Sequence, residues 1–436
     1  MLRWTIPLLV PCATLLLAAS CGEDGAGVTP PDEQPPGDTT ALPPVSGERG
    51  TIAYARGGEL RLIQPDGSND RVLWAPPDRS LGSTILGIGW KPDGTELAFS
   101  SDHEAAVSFY DRDIYAVRVD GRGLRRVTNA PAHDRLASMA KGSVTVTVQN
   151  NTADSGPYFV YVGGASAPQQ VTIAPGNSAQ LTFTDVADFG SVVQAVVVIN
   201  GLTRWFGGAV ADVRAGATTD AGTLTLTQFG GVPRLGVSGP VWSADGSRLA
   251  FIGSPTCVML AAPASPPAGF IDEQLLDSKV FGRSCAFDWA QGGSAAGDVI
   301  YLDDSQYSTD GSSSVYRVRA GAQSRGQPVL TFTDYDRLTD IRWLPDGSGF
   351  LVAKTGGLME PHVNLYELLF SSGTLRQITT FTDASVRGFA ISPDGRQIVF
   401  ERVPEAELTA PSDLWVVNRD GSSPHLLVRD AASPAW

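Results

Sequence analysis

Few residues in this sequence have the types and spacing that catalysis or metal binding requires. The four histidines, His103, His133, His362 and His425, lie in separate segments, and none lies within metal-ligand spacing of another. No Gly-x-Ser-x-Gly motif provides a serine nucleophile. We therefore interpret the histidines as surface residues and predict no catalytic residue, no metal site and no cofactor.

The acidic residues leave one enzymatic alternative open. Asp303, Asp304 and Asp310 form an acidic stretch, but they lack the Asp-x-Asp-x-Asp-Gly order of a calcium loop, so a solvated loop is the better interpretation. The two carboxylates of a glycosidase come from distant segments and have no local spacing that a sequence could reveal. An exported carbohydrate-active or hydrolytic enzyme therefore stays the alternative to a protein without catalytic activity.

The composition predicts an all-β protein that is rich in turns. Among 436 residues there are 48 Gly and 30 Pro, 18% are charged, and no long stretch has apolar residues at helical spacing. The formal net charge is −14, and the basic residues form no run. Because phosphate binding needs a concentrated positive surface, this charge pattern argues against nucleic acid as a partner.

One strand-turn-strand pattern recurs along most of the chain. Residues 88–99 read as an apolar strand that ends in Trp90, a Pro92-Asp93-Gly94 turn and a second apolar strand. Pro fixes φ at the first corner position, Asp can bond its own backbone, and Gly supplies the positive φ, so the turn is nearly forced. The pattern returns at 241–251, 341–352 and 389–400. After residue 240 the residues in the Trp slot, which are Trp242, Trp289, Trp343, Ile391 and Trp436, lie 45 to 54 residues apart, which is the length of a four-stranded propeller blade.

Together with the segments 113–121 and 126–128, this pattern resembles the repeat of TolB-like six-bladed β-propellers. The resemblance covers 51–135, with blades 1 and 2, and 237–436, with blades 3 to 6. Blade 1 lacks an innermost strand, and residues 433–436 fit that position, so the C-terminal strand is expected to close the ring and hide its open edges. The tryptophans in the repeat slot are expected to pack between blades: Trp90, Trp242, Trp289, Trp343 and Trp436.

The long interval between blades 2 and 3 predicts an inserted β-sandwich at residues 136–236. Six short strands, separated by Gly, Pro, Asn and Asp clusters, are predicted at 143–148, 158–162, 170–173, 179–183, 194–199 and 222–226. Residues 215–224 resemble carboxypeptidase-regulatory-like or other immunoglobulin-like modules. Trp205 and Phe206 either fill the core of the sandwich, which we favour, or form an exposed tip for docking.

The N-terminus resembles a bacterial lipoprotein signal peptide. Residues 1–20 carry one charge, at Arg3, an apolar run, and Ala18-Ala19-Ser20 directly before Cys21. The resemblance implies acylation of Cys21, a membrane anchor, and, with Gly22 next, an outer-membrane location. An uncleaved membrane-spanning helix is the alternative, although the apolar run is short for a bilayer. Residues 21–50 are rich in Pro, Gly and acids and read as a disordered tether.

Two cysteines outside the signal peptide and its acylation site remain, Cys257 and Cys285. In an exported chain we predict that they form a disulfide between blades 3 and 4. These features together favour a lipid-anchored propeller of the cell envelope that binds a protein or envelope polymer without catalysis. The alternative is an exported carbohydrate-active or hydrolytic enzyme with its site at the mouth of the propeller channel.

Overall fold

The computed structural model describes residues 47–436, with gaps at 78, 80–82, 105–111, 129–138, 154, 156–157, 163–168, 189, 200–201, 227–235, 255–257, 267–273, 276–285, 304–311, 322–326, 334–335, 358 and 405–410. Its regular elements are β-strands and the short 3-10 helix Gly293–Ala295, which confirms the all-β prediction. Among these residues, no helix has the length and apolar character needed to cross a membrane.

The strands are numbered in chain order. Before residue 130 they are β1 (Ile52–Arg56), β2 (Glu59–Ile63), β3 (Arg71–Trp74), β4 (Ile85–Trp90), β5 (Glu96–Ser101), β6 (Asp113–Arg118) and β7 (Arg125–Arg126). The middle of the chain forms β8 (Lys141–Asn150), β9 (Tyr158–Val162), β10 (Gln169–Val171), β11 (Ser178–Ala187), β12 (Gly190–Ile199), β13 (Leu202–Asp212) and β14 (Thr218–Leu226). The remaining strands are β15 (Gly236–Trp242), β16 (Arg248–Ser254), β17 (Val258–Pro263), β18 (Gln274–Leu275), β19 (Phe287–Trp289), β20 (Asp298–Asp303), β21 (Ser313–Arg319), β22 (Gln327–Phe332), β23 (Leu338–Trp343), β24 (Gly349–Lys354), β25 (Asn364–Leu369), β26 (Leu375–Gln377), β27 (Ala384–Ile391), β28 (Gln397–Pro404), β29 (Asp413–Asn418), β30 (His425–Val428) and β31 (Ala432–Ala435).

Six four-stranded antiparallel sheets contain the strands on either side of the middle segment, and we number them sheets 1 to 6 in chain order. Sheets 2 to 6 each contain four consecutive strands, β4 to β7, β15 to β18, β19 to β22, β23 to β26 and β27 to β30. Sheet 1 has the order β3-β2-β1-β31, so the C-terminal strand joins the first three strands of the chain. In this pairing Ala435 lies opposite Ala53 and Ala432 opposite Ala55.

Each of the six sheets packs on the next through a shared cluster of buried apolar side chains. Between sheets 1 and 2 the cluster includes Trp74 and Phe99. Equivalent clusters join sheets 2 and 3, 3 and 4, 4 and 5, and 5 and 6. A further cluster with Ile52 and Val399 joins sheet 6 to sheet 1. Strands that are covered on both faces need no polar alternation, and all six residues of β24 are indeed buried.

The turn between the first two strands of a sheet has the predicted chemistry. In sheet 2 the Gly94 N–H donates to the Lys91 carbonyl oxygen at 2.8 Å, and Gly94 has a φ of +72°. The Asp93 carboxylate accepts the Thr95 N–H at 2.9 Å, which fixes the corner. Sheets 3, 5 and 6 have glycine with positive φ at the matching positions. In sheet 4, where Pro-Asp-Gly is replaced, the 3-10 helix Gly293–Ala295 makes the connection.

The middle segment forms two smaller sheets that pack on a common core. One has the order β11-β8-β14, with β8 and β14 parallel, and the other has the order β10-β9-β12-β13. Their shared buried cluster includes Val146, Tyr158, Phe183 and Leu224. All six predicted strands are present, most with wider bounds, but β13 was not predicted. Trp205 and Phe206 lie within β13, paired with β12, so this segment is a strand rather than a loop tip.

Several predictions concern residues outside the described ranges. They are the signal peptide and tether before residue 47, acylation of Cys21, the Cys257–Cys285 disulfide, the acidic stretch at Asp304 and Asp310, and His133. These stay predictions from the sequence.

Candidate binding site

A cavity of about 460 Å³ lies among the innermost strands of the six sheets. Residues of β4, β15, β19, β23, β27 and β31 line it, together with Arg49 and Gly50 before β1 and Glu401 on β28. We call it the central cavity. Its volume falls in the range of small-ligand sites, which are about 300 to 1,000 Å³.

Tryptophans from the repeat slot form much of the apolar wall. Trp90, Trp289 and Trp343 are each at least nine-tenths buried, and together with the half-buried Trp436 they line the cavity. Trp242 is fully buried and donates its Nε1 hydrogen to the Gly89 carbonyl oxygen of the neighbouring sheet at 3.0 Å. From the sequence we expected these five tryptophans only to pack between blades. Four of them, Trp90, Trp289, Trp343 and Trp436, also line the cavity.

Three carboxylates connect successive sheets beside this cavity. Asp288 of sheet 4 accepts the Trp343 N–H of sheet 5 at 2.7 Å. Asp340 of sheet 5 accepts the Phe389 N–H of sheet 6 at 3.3 Å. Glu401 of sheet 6 accepts the Ser433 N–H of β31 at 2.7 Å. Each acid therefore accepts a hydrogen bond from a backbone N–H of the next sheet and so satisfies that donor.

The three acids differ in how their negative charge is compensated. Asp340 accepts a hydrogen bond from Arg342 Nη1 at 2.6 Å, and Glu401 accepts one from Arg387 Nε at 2.5 Å. Among the described residues, the hydrogen-bond donors to Asp288 are two backbone N–H groups, that of Trp343 and, at 3.0 Å, that of Trp289. Within the described residues no basic side chain lies within 4.0 Å of Asp288. Among the described residues of the cavity wall, Asp288 is thus a partly exposed carboxylate that has no ion-pair partner.

The surroundings of Asp288 change its acidity. Removal from water raises the pKa of the Asp288 carboxyl to about 6, an effect that Arg342 opposes and Asp340 reinforces. Burial also raises the pKa of Asp340. Because the folded pKa of Asp288 lies above its ordinary value of 3.8, the stability that its neutral form contributes is lost as the pH rises through about 6. Ionisation of the Asp288 carboxyl in the cavity therefore lowers the stability of the fold.

The sequence contains a pattern that distinguishes this acid. Asp288 directly precedes Trp289, and the residues in the same slot of sheets 2 and 3 are Gly89 and Val241. A charged residue in a slot that is small or apolar in sheets 2 and 3 indicates a local role. The slot of sheet 5 holds Arg342, so the two charged members of this series stand on neighbouring sheets.

The turn side of the cavity is partly crossed by a glutamine. Gln291 of sheet 4 donates its Nε2 hydrogen to the Trp90 carbonyl oxygen of sheet 2 at 3.1 Å. Two basic residues lie at the same end, where Arg49 donates to the Pro92 carbonyl oxygen and Lys91 pairs with Asp93 at 3.2 Å. These cations are therefore held by the turn and do not compensate Asp288.

The interpretation of all four histidines as surface residues was wrong for His103. Its side chain is buried at the junction of sheets 1 and 2, with ring centroids 4.9 Å from Trp74 and 4.5 Å from Tyr115. Its Nδ1 lies 3.0 Å from Ser101 Oγ. Burial lowers the pKa of His103 to about 4, although Glu104 opposes this shift. His362 is half-buried and His425 is exposed.

Replacing His103 by Leu is expected to remove part of the acid sensitivity of the fold. The stability that neutral His103 contributes is present above its ordinary pKa of 6.5 and is lost as the pH falls through about 4. That difference in pKa corresponds to about 3 kcal/mol. Between pH 7.5 and pH 4, urea unfolding should show a loss about 3 kcal/mol larger in the wild type than in His103→Leu. Equal losses in the two proteins would contradict the assignment, since the contribution of Asp288 is common to both.

Within the described ranges, no group of three or more His, Cys, Asp or Glu side chains comes together in an arrangement that could hold a metal ion. The polar groups of the central cavity can act as hydrogen-bond and charge partners for a ligand.

No protein-family model matches the sequence, and no curated protein matches it. Solved structures that resemble the chain include TolB from Acinetobacter baumannii, with 12% identity and a TM-score of 0.38 over 89% of this chain and 66% of that one. A prolyl endopeptidase has 11% identity and a TM-score of 0.41 over 87% of this chain and 50% of its own. An oligogalacturonate lyase in complex with manganese has 13% identity and a TM-score of 0.37, over 87% and 86%. At these scores no activity, ligand or partner transfers to this chain.

Proposed function

We propose that this chain is a lipid-anchored binding protein of the bacterial cell envelope that has no catalytic activity. In this proposal the six four-stranded sheets are the blades of a six-bladed β-propeller, which the C-terminal strand closes. The two smaller sheets form an inserted β-sandwich that provides a second contact surface. The partner is a protein or an envelope polymer, and acylated Cys21 holds the protein at the outer membrane.

The propeller proposal is supported by the order in which the sheets touch. Each sheet shares a buried apolar cluster with the next, and sheet 6 shares one with sheet 1. The hydrogen bonds follow the same order, because Glu401 accepts the Ser433 N–H and Ser433 Oγ accepts the Gly87 N–H of sheet 2 at 3.1 Å. The repeat motif in the sequence supports the same architecture.

The observation that carries the binding function is how the carboxylates of the central cavity are used. A general acid or nucleophile needs a carboxyl group that can reach the substrate and exchange a proton. Asp340 and Glu401 instead have both oxygens engaged by backbone N–H groups, by arginine or by Ser412. Such acids are suited to holding neighbouring sheets together around a cavity that receives part of a partner.

Photo-crosslinking in intact cells tests this function. Gly292 stands on the cavity rim with extended backbone, and the nearest atom to an added Cβ is the Pro345 carbonyl oxygen at 3.5 Å, so a photoreactive phenylalanine fits there. Thr374, exposed on the outer turn of sheet 5, is the matched control. A discrete crosslinked partner is expected from position 292 and not from position 374. Crosslinks only to the protein itself, under efficient illumination, would contradict the proposal.

A specific observation favours the second candidate, an exported carbohydrate-active or hydrolytic enzyme. Asp288 combines access to the cavity with a pKa of about 6, as a general acid at neutral pH requires. The two candidates differ in the expected behaviour of Asp288→Asn. An enzyme would release product from a polysaccharide panel in the wild type and lose that activity in the variant. A binding protein would show no turnover in either form.

A further inference from the structure

We propose that the central cavity binds a protonated primary amine, with Asp288 as its counter-ion. This inference rests on the binding function proposed above and assigns the chemical class of the group that enters the cavity. The ammonium of a lysine side chain on a partner and the ammonium of a free small molecule share this chemistry, and the experiment below separates them.

The first step is the charge balance around Asp288. Asp288, Asp340 and Arg342 lie together on the innermost strands of sheets 4 and 5, and the guanidinium is already hydrogen-bonded to Asp340 at 2.6 Å. Among the residues that the structure describes, these two carboxylates and one guanidinium leave a net charge of −1 at this point of the wall. Glu401 adds nothing to the balance, because Arg387 pairs with it at 2.5 Å. An uncompensated carboxylate beside apolar side chains is unfavourable unless a cation neutralises it.

The second step is the composition of the wall. Phe287, Trp289 and Trp343 line the cavity on the same two strands that carry Asp288 and Arg342. Aromatic faces attract cations, by about 0.5 to 1 kcal/mol at exposed sites and more where the cation is desolvated. A cation beside Asp288 would therefore lie near aromatic residues that line the same wall. An anionic group would meet the same rings without this attraction and would be repelled by the net negative charge.

The third step distinguishes an ammonium from a guanidinium. A carboxylate has about four acceptor positions, and each oxygen of Asp288 already accepts one backbone N–H. Arginine binds carboxylates best through two parallel hydrogen bonds, which require both oxygens at once in one plane. An ammonium is compact and needs one free acceptor position on Asp288.

Protonation of Asp288 should compete with amine binding. The pKa of Asp288 is raised to about 6 by burial, so at pH 5 about one tenth of the carboxyl groups are ionised. Amine binding should therefore weaken about tenfold between pH 7.5 and pH 5. The facing groups that titrate or carry charge are Arg342 and Asp340 on β23 and Glu401 on β28, and each is engaged by the hydrogen bonds described above.

Ligand-observed NMR on the full exported chain tests the proposal. The probes are n-butylammonium and the tripeptide Gly-Lys-Gly, with 1-butanol and Gly-norleucine-Gly as neutral controls, at constant ionic strength in NaCl. Both tripeptides are N-acetylated and C-amidated, so the lysine side chain carries the only ammonium group among them. Both amines, or the peptide alone, should bind the wild type at pH 7.5. Binding should weaken on the order of tenfold in Asp288→Asn, since a charge-assisted hydrogen bond is lost. Asp346→Asn, at an exposed turn outside the cavity, should bind like the wild type.

The outcomes separate the two sources and the two proposals. Binding of both amines assigns a general ammonium site, and binding of Gly-Lys-Gly alone assigns a lysine side chain of a partner. Absence of binding by either amine, equal binding to Asp288→Asn with an unchanged melting temperature, or equal binding by the neutral controls would overturn the inference. A partner crosslinked at position 292 in that case would leave the binding function intact.

Discussion

Deletion of residues 432–436 is expected to lower the free energy of unfolding by about 3 to 5 kcal/mol or more, the effect of losing a large packed side chain. The deletion removes β31 and therefore opens the edge of β1. It also removes Trp436, whose Nε1 donates to the Gly50 carbonyl oxygen at 2.9 Å, and Ser433, whose N–H satisfies the buried Glu401. Urea unfolding of the full and shortened chains measures this loss, and light scattering should show association through the exposed edge.

Trp436→Phe is the control for this deletion. It keeps an aromatic ring in the contact between sheets 1 and 6 but removes the hydrogen bond to Gly50, so the expected loss is about 1 kcal/mol. A shortened chain that unfolds at the same urea concentration as the full chain would refute the role assigned to β31. An equal loss of stability in both variants would attribute the whole loss to the hydrogen bond from Trp436 to Gly50.

Replacing Lys354 by Ala should destabilise the fold by about 3 to 5 kcal/mol, as expected when one partner of a buried ion pair is removed. Lys354 is 6% exposed, and its Nζ donates to Asp336 Oδ1 at 2.9 Å and to the Thr355 carbonyl oxygen at 2.7 Å. The ammonium also lies 5.1 Å from the ring centroid of Phe332 and 4.6 Å from that of Tyr366. Alanine leaves the Asp336 carboxylate, itself 7% exposed, without this cation.

Two further variants isolate the cause of the Lys354 effect. The double variant Lys354→Met with Asp336→Leu removes both charges and should recover much of the stability, because a buried pair and an apolar replacement are often equivalent. Arg214→Ala breaks an exposed pair with Asp212, and its expected effect is within about 0.5 kcal/mol. A loss from Lys354→Ala below about 1 kcal/mol in chemical unfolding would contradict the importance of the buried pair.

The strands and turns were predictable because their causes are local. Pro92-Asp93-Gly94 fixes its turn through one carboxylate and one positive φ, and both are visible in the sequence. The bounds of β9 agree with the predicted ones, 158–162, for the same reason. Strand β13 escaped prediction because Gly207 and Gly208 interrupt its β-forming residues, and only its pairing with β12 makes it a strand.

The candidate site depends on distances that no local pattern contains. Asp288, Asp340 and Glu401 are far apart in the chain, and each is positioned by a backbone group on the following sheet. The burial of His103 likewise depends on Trp74 from another sheet. The sequence could identify these residues as charged or titratable, but their partners and their exposure follow from packing.

The all-β character and the recurring strand-turn-strand unit with its period follow from the sequence alone, because turn chemistry and apolar runs act over a few residues. Tertiary packing places Asp288 at a central cavity with no basic partner among the described residues, while Asp340 and Glu401 each have an arginine. Whether a charge is compensated depends on which side chains surround it in space. That space is formed by six sheets whose innermost strands are separated by many residues in the chain.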